Sequence, residues 1–224
     1  MAPRESTPPT PRTQVKRLPE LGVYDRAAVH AICDEALICH VGYMSEGGPR
    51  VIPTIHVRID DTLYLHGSAA SRTLRSLRDG VDVAVCITLL DAIRFARSMF
   101  EHSMNYRSVV VYGRAREVTD PGELTLVARA ISDHVADGRS RHARMPTDVE
   151  LRQTLFLALP LEEASAKVST GHSEEPDEDL ALDIWAGILP LRQTPGEPEP
   201  HPLLRPGIPT PGYVTDYRRP GDHR

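Results

Sequence analysis

The sequence has few cysteines, few aromatic residues and no long apolar run, and each shortage excludes a class of protein. Three cysteines among 224 residues have neither the number nor the spacing of a disulfide framework or a zinc site. We expect Cys33, Cys39 and Cys86 to be buried, reduced thiols. No window approaches the ~18 apolar residues of a membrane-spanning helix, and the N-terminus "MAPRESTPPTPRTQVKR" lacks the apolar core of a signal peptide. We therefore expect a cytoplasmic protein that does not bind membranes.

The charge pattern and the absence of known motifs exclude further functions. A net charge of −5 with no long basic block argues against nucleic-acid binding. The histidines show no metal-ligand spacing such as HExxH, so we predict no metal site. Nor does "HGSAAS" form a GxSxG nucleophile elbow, which argues against a serine hydrolase. Aromatic residues make up only 5% of the chain, so the single Trp185 is a residue to follow.

Proline marks both ends of the chain as tails. Residues 1–20 carry five prolines, and residues 195–213 carry seven in "PGEPEPHPLLRPGIPTPGY". We predict a disordered N-terminal tail over 1–20, one domain over 21–194 and a C-terminal tail over 195–224. Because the second tail contains leucine and isoleucine, two interpretations fit it: a disordered segment, or one that lies along a surface or a partner subunit.

The domain between the tails alternates short strand patterns with a few helices. "YDRAAVHAICDEA" has an N-cap and apolar residues at helical spacing. "LICHVGYM" and "RVIPTIHVRI", joined by "SEGGP", predict a hairpin, and further strand patterns follow in "VDVAVCITLL" and "NYRSVVVYGRAREV". Six or seven strands without regular βαβ alternation favour an antiparallel barrel. The predicted fold class is therefore mostly β, α+β, with flanking helices.

The stretch "LYLHGSAASRTLRSL" joins a strand to a basic helix through small residues. Gly67 is expected to permit backbone torsions that a side chain would forbid. The unpaired N–H groups at the helix start favour an anion, and Arg72 beside Ser71 can add a charge-assisted contact to a phosphate. In the other interpretation, Ser71 only caps the helix and the arginines are solvated.

The order of these segments decides between the two interpretations, because it resembles a known family. "RVIPTIHVRIDDTLYLHGSAASRTLRSL", "VDVAVCITLLDAI", "NYRSVVVYGRAREV", "LEEASAKVSTG" and "IWAGILPL" follow one another as in the pyridoxamine 5′-phosphate oxidase-like family of FMN-binding split β-barrel proteins. The chain is most similar to its flavin-nucleotide-binding branch, which includes nitroimidazole-resistance proteins. The resemblance covers about residues 20–195. It implies a split β-barrel and a homodimer with FMN at the subunit interface.

The resemblance also implies which residues bind the cofactor. The strand-to-helix joint would hold the FMN phosphate, "VIPT" would lie beside the isoalloxazine ring, and "NYRSVVVYG" would approach it from the partner subunit. The implied residues are Ile52, Pro53, Thr54, His66, Gly67, Ser68, Ser71, Arg72, Tyr106, Arg107, Ser108, Lys167 and Trp185. Simpler interpretations stay open for several: an ordinary edge strand for "VIPT", core packing for Tyr106 and Trp185, and a surface position for Lys167.

One departure limits the implied activity. Authentic pyridoxamine phosphate oxidases end in a tryptophan followed by arginine and histidine, whereas "DIWAGILPLRQTPGE" has no histidine. We therefore do not expect pyridoxamine phosphate to be the substrate. The resemblance implies an FMN-dependent oxidoreductase that transfers hydride to a small molecule, with NAD(P)H or a reduced flavin as donor, and no catalytic side chain is assigned. The alternatives are a flavin carrier or sensor without turnover and, less favoured, a binder of deazaflavin or of haem through His66 or His40.

Overall fold

The computed structural model describes residues 8–218. Its ten strands are β1 (Gly22–Val23), β2 (Ile38–Ser45), β3 (Gly48–Ile59), β4 (Thr62–Ser68), β5 (Asp82–Phe95), β6 (Ser103–Arg114), β7 (Arg116–Glu117), β8 (Thr154–Pro160), β9 (Ala164–Ser169) and β10 (Gly187–Pro190). The α-helices are α1 (Arg26–Glu35), α2 (Arg72–Arg78), α3 (Pro121–Val135), α4 (Asp148–Arg152), α5 (Asp177–Leu180) and α6 (Gly212–Thr215). Two 3-10 turns cover Pro19–Leu21 and Arg139–Arg141.

The strands form one antiparallel sheet in the order β1-β9-β6-β5-β2-β3-β4-β8-β7, with β10 on the end of β5. Strand β3 pairs with two neighbouring strands: residues 48–55 pair with β2, and residues 56–59 pair with β4. The long hairpin of β5 and β6 continues beyond β2, and β10 pairs with this extension. Seven strands have six or more residues, so the predicted mostly β, antiparallel fold is confirmed.

The sheet curls around one main core, and the period of two along each strand decides which residues enter it. Alternate residues of β5 face inward and are almost fully buried, among them Val85 and Ile87. Helix α1 begins at the predicted cap, Asp25, and packs its apolar face into the same core. Helix α3 covers the other side of the sheet around Val127, where a smaller core forms. No helix among residues 8–218 is long and apolar enough to cross a membrane.

The chain N-terminal to β1 packs against the barrel from residue 10 onward. Thr13 is buried, and Arg12 forms an ion pair with Glu163 of the β8–β9 turn. The backbone N–H of Val15 donates to the hydroxyl of Tyr24 at 2.9 Å. The predicted N-terminal tail over 1–20 thus includes a segment with specific contacts. Residues 1–7 and 219–224, which belong to the two predicted tails, lie outside the described residues.

Two histidines bind the carbonyl groups at the C-terminal end of α1. His56 of β3 contacts the carbonyl oxygen of Cys33 at 3.0 Å, and His134 of α3 contacts that of Ala36 at 2.9 Å. The two rings lie 5.6 Å apart. These carbonyls have no partner within the helix, so the imidazole N–H groups satisfy them. Because His56 is fully buried, desolvation lowers its pKa from 6.5 to about 4.

This burial predicts an acid-sensitive fold. The unfolded chain binds a proton at His56 below a pH of about 6.5, but the folded chain does so only below about 4. The free energy of unfolding should therefore fall as the pH drops from 6.5 to 4, by about 3 kcal/mol from this residue. Urea unfolding of the natural protein and of His56→Gln, at several pH values, measures the difference. An unchanged pH dependence in the variant would contradict the assignment.

Candidate functional site

The predicted cofactor site begins where β3 and β4 separate. Their pairing ends at His56 and Leu65, so residues 48–55 of β3 have no strand partner on the side away from β2. Ile52 and Pro53 are exposed there, and Thr54 is half-buried. The structure therefore places "VIPT" on an open strand edge, which offers backbone groups to a flat polar molecule. Pro53 fits such a position because it lacks an N–H.

The joint between β4 and α2 lies across this opening. Ser71 caps α2: its hydroxyl accepts a hydrogen bond from the N–H of Leu74 at 3.4 Å. The expectation that Gly67 needs unusual torsions is wrong, because its φ lies outside the left-handed region. Its role is close approach: a Cβ on Gly67 would come within 2.8 Å of Leu74, so the missing side chain lets α2 pack against β4.

Ser68 and Arg72 are exposed at the same joint. The Ser68 hydroxyl accepts from the N–H of Ala70 at 3.2 Å, which holds the small residues in a tight turn. Arg75, one turn further along α2, bonds the carbonyl oxygen of Ala70 at 3.2 Å. Arg72 itself has no carboxylate partner among the residues that the structure describes. Its guanidinium is therefore available for an anion.

His66 lies near the end of β4, opposite Phe156 of the neighbouring strand β8. Its ring stacks on Phe156 with centroids 5.9 Å apart, and its Nδ1 is buried without a partner. Nε2 likewise makes no hydrogen bond within residues 8–218. Desolvation lowers the pKa of His66, so its neutral form is favoured. A half-buried neutral imidazole with unused nitrogens is a potential metal ligand.

Three other predicted residues share a different face of the sheet, which we call the outer face. It comprises the side chains that point away from the main core on β2, β3, β5, β6 and β9, with Ile38, Met44, Val51 and Leu90 exposed on it. Ser108 lies between Thr88 and Lys167 in register, and Tyr106 follows one pair further along. Thr88 is a polar neighbour that the sequence analysis missed, although the period of two along β5 places it on this face.

Within one chain, the outer-face residues Tyr106, Ser108 and Lys167 lie far from the open edge of β3 at residues 48–55. Strand β6 is three positions from β3 in the sheet, which corresponds to about 14 Å. Lys167 lies one strand further and donates from Nζ to the carbonyl oxygen of Arg17 at 3.0 Å. The structure therefore does not bring these two groups of predicted residues together in a single copy.

Arg107 points to the opposite side, into the protein. It binds Asp91 through Nε and Nη2, at 2.9 and 2.7 Å, and Glu35 at the end of α1 through Nη1 and Nη2. The hydrogen bonds with Asp91, then those with Glu35, raise the pKa of Arg107 above its ordinary value. The structure thus places this predicted cofactor contact in an ion-pair network that ties α1, β5 and β6 together.

Trp185 lies just before β10, beside the extended end of the β5–β6 hairpin. Its ring is 5.7 Å from that of Phe95, but 69% of the residue is exposed. Gly187 gives it room, since a Cβ there would come within 2.9 Å of the indole. Trp185 is therefore not a core residue, and an aromatic plane is displayed at the surface of the hairpin end.

A cleft at one end of the barrel contains none of the predicted site residues. It has a volume of about 370 Å³ and lies between α1 and the β8–β9 turn, lined by Tyr24, Arg26, His30 and Leu161 among others. His30 contacts Asp61 there at 2.8 Å, and Arg26 bonds the same carboxylate. The cleft sits at the β3–β4 turn, the opposite end of β4 from the joint.

Similarity to known proteins identifies the family of this chain. The sequence profile described as pyridoxamine 5′-phosphate oxidase matches residues 25–168, from α1 to β9. The chain belongs to the pyridoxamine 5′-phosphate oxidase-like family. This family consists of flavin-binding split β-barrel proteins, so the resemblance found in the sequence is confirmed.

Solved structures of the family extend the match over nearly the whole chain. The flavocytochrome Anf3 from Azotobacter vinelandii is 36% identical, with a TM-score of 0.89 over 94% of this chain and 98% of that one. The FAD and haem binding protein from Mycobacterium smegmatis is 33% identical, with a TM-score of 0.83 over 88% and 96%. A protein from Bacteroides thetaiotaomicron assigned to 5-nitroimidazole antibiotic resistance shares the fold at 22% identity, with a TM-score of 0.56 over 66% and 86%. Curated protein sequences gave no match.

Proposed function

We propose that the protein is a flavin-dependent redox protein that also binds haem. The observation that carries this proposal is the 36% identity to a flavocytochrome across 94% of the chain. The 33% identical FAD and haem binding protein supports the same pair of cofactors. It also favours FAD over the FMN expected from the sequence. Oxidoreductase activity on a small molecule, with NAD(P)H or reduced flavin as donor, follows from such a pair.

The flavin would occupy the opening between β3 and the β4–α2 joint. The backbone of Ile52 and Thr54 would hold the polar edge of the ring system, because this strand edge has no pairing partner. Arg72 and Ser68 would bind phosphate, and Arg75 could reach the second phosphate of a dinucleotide. When bound, the flavin supplies hydride or electron transfer, and the protein contributes orientation and hydrogen bonds.

A homodimer would complete this site. The outer face exposes Met44 and Val51 to 62% and 65%, and apolar side chains exposed together on one face favour an interaction surface. Tyr106, Ser108 and Lys167 lie too far from the β3 edge of their own chain, so they would reach the flavin of a second copy. The exposed Trp185 would likewise cover a cofactor or substrate across the interface.

The haem proposal is tied to His66. Neither of its ring nitrogens makes a hydrogen bond within residues 8–218, and it is half-buried beside Gly67 at the joint, whereas His40 is exposed on β2. A neutral imidazole nitrogen is the usual protein ligand of haem iron. His56 and His134 are already bound to carbonyls of α1, which leaves them unsuited to this role.

The cofactors released by denaturing the purified protein provide the first test. We expect FAD and haem, identified by chromatography and mass spectrometry, together with a flavin absorbance and a Soret band before denaturation. Protein that is colourless and takes up neither added flavin nor added haem would refute the proposal. NAD(P)H consumption with quinone or nitroaromatic acceptors then distinguishes an enzyme from a carrier, since a carrier would bind flavin without turnover.

Arg72→Ala tests the phosphate site. A charge-assisted hydrogen bond to phosphate contributes about 1.5–3 kcal/mol, so flavin affinity should fall roughly 10- to 100-fold. Equilibrium titration of the apoprotein with flavin measures this change. Arg78→Ala is the matched control, because Arg78 lies on the same helix but pairs with Asp79 away from the joint. Equal losses from both variants would indicate a general charge effect and contradict a phosphate contact.

A further inference from the structure

Tyr43 is a buried tyrosine whose hydroxyl contacts a helix outside the sheet. It lies on β2, between β3 and β5, directly opposite Arg50 on the open stretch of β3. Its hydroxyl donates a hydrogen bond to Oγ1 of Thr73 on α2 at 3.0 Å. Within residues 8–218, this is the only side-chain hydrogen bond between the β2–β3 hairpin and α2. Tyr43 therefore connects the strand pair that has the open edge to the helix that carries Arg72.

Apolar contacts alone would hold α2 less precisely. Leu74 and Leu77 are the buried side chains of this helix, and both belong to the main core. Hydrophobic burial is non-directional, so it keeps the helix on the barrel but fixes its rotation only loosely. A hydrogen bond has a preferred distance and angle, so the bond between Tyr43 and Thr73 restricts that rotation. Because Arg72 directly precedes Thr73, the same bond restricts the position of Arg72.

We propose that Tyr43 is a positioning residue for the flavin phosphate site. Its hydrogen bond holds α2 in one orientation, so that Arg72 and Ser68 are in place at the opening before a flavin binds. Such preorganisation reduces the conformational entropy that binding costs. Tyr43 acts through Arg72, so its effect is confined to flavins that carry a phosphate. The inference rests on the flavin site proposed above, and adds to it a residue outside the predicted set.

Titration of full-length Tyr43→Phe with three flavins tests this role. The variant keeps the buried ring and removes only the hydroxyl. After bound flavin is removed, its affinity for FAD and for FMN should be about three- to tenfold lower than that of the natural protein, which corresponds to one net hydrogen bond. Its affinity for riboflavin, which has no phosphate, should be nearly unchanged. A general loss of structure would instead lower all three affinities together.

Tyr64→Phe is the matched control. Tyr64 is also buried, and its hydroxyl also bonds a helix residue, Glu123 of α3, at 2.8 Å. Removing this hydroxyl should change none of the three affinities, because α3 carries no part of the proposed flavin site. Thr73→Val should reproduce the loss seen in Tyr43→Phe, whereas Thr73→Ser, which keeps an acceptor hydroxyl, should not. Equal losses from Tyr43→Phe and Tyr64→Phe, or equal losses for riboflavin and FMN, would overturn the proposal.

Hydrogen exchange of the full-length protein without flavin measures the cause directly. The backbone N–H groups of residues 72–78 should exchange faster in Tyr43→Phe than in the natural protein, because α2 has lost a contact with the barrel. They should exchange at the natural rate in Tyr64→Phe, and unchanged exchange in Tyr43→Phe would contradict the role. If the natural protein binds no flavin, the proposed cofactor is refuted together with this role. If it binds flavin and Tyr43→Phe binds it equally well, only the positioning role is refuted.

Discussion

Arg107→Ala is expected to lower the free energy of unfolding by about 3 kcal/mol. The substitution removes the guanidinium that binds two carboxylates, Glu35 and Asp91, both largely shielded from solvent. Each carboxylate would then keep its charge with no partner, and breaking such a pair costs more than the pair itself contributes. Urea unfolding at neutral pH measures the loss. A change no larger than that of a surface substitution would contradict it.

The same strand offers a matched control. Arg114 also pairs with an aspartate, Asp82, but both side chains are mostly exposed, at 68% and 59%. Exposed ion pairs are screened by water and contribute little, so Arg114→Ala should leave stability nearly unchanged. Both arginines lie on β6 and pair with an aspartate of β5, so the comparison measures the combined effect of burial and of the second carboxylate, Glu35.

Arg107 also decides between two interpretations of its role. The sequence resemblance made it a flavin contact, whereas the structure places it on the inward side of β6, opposite to Tyr106 and Ser108. The flavin affinity of the folded Arg107→Ala protein, measured without urea and at low temperature, should therefore stay close to that of the natural protein. A loss of affinity as large as that of Arg72→Ala would support the direct contact.

The sequence was sufficient to predict most of the fold because the signals involved are local. Caps at Asp25, Ser71 and Asp120 mark three helix starts, and each accepts the expected backbone hydrogen bond. The period of two along β5 likewise separates buried from exposed residues. The strand order, in which β2 lies between β3 and β5, depends on contacts far apart in sequence, and no local pattern contains it.

The site was harder to predict than the fold, for two physical reasons. A side chain on β6 faces one way or the other according to register, and a match to a family motif does not reveal that Arg107 and Ser108 point in opposite directions. The reason for Gly67 also depends on packing, because Leu74 approaches it only once α2 has docked. Thr54 and Arg72 were easier to predict, because a strand edge and a helix start are positions that the local sequence pattern indicates.

His66→Phe is expected to abolish haem binding while flavin binding persists. Phenylalanine keeps an aromatic ring of similar size against Phe156, whose ring now stacks on the imidazole, but it offers no lone pair to iron. The purified variant should therefore lose nearly all of its Soret absorbance and retain the flavin absorbance. Desolvation lowers the pKa of His66, which favours the neutral imidazole with its lone pair available.

His40→Phe provides the control, because it removes a histidine that lies on the exposed side of β2 rather than at the joint. This variant should keep both absorbances if His66 is the ligand. Retained haem in His66→Phe together with lost haem in His40→Phe would move the iron site to the outer face. Loss of both cofactors in His66→Phe, with an unchanged thermal unfolding midpoint, would instead mean that His66 holds the flavin. A haem-ligand role and a flavin-binding role for His66 therefore predict different absorbance spectra, and the spectra of the two variants distinguish these roles.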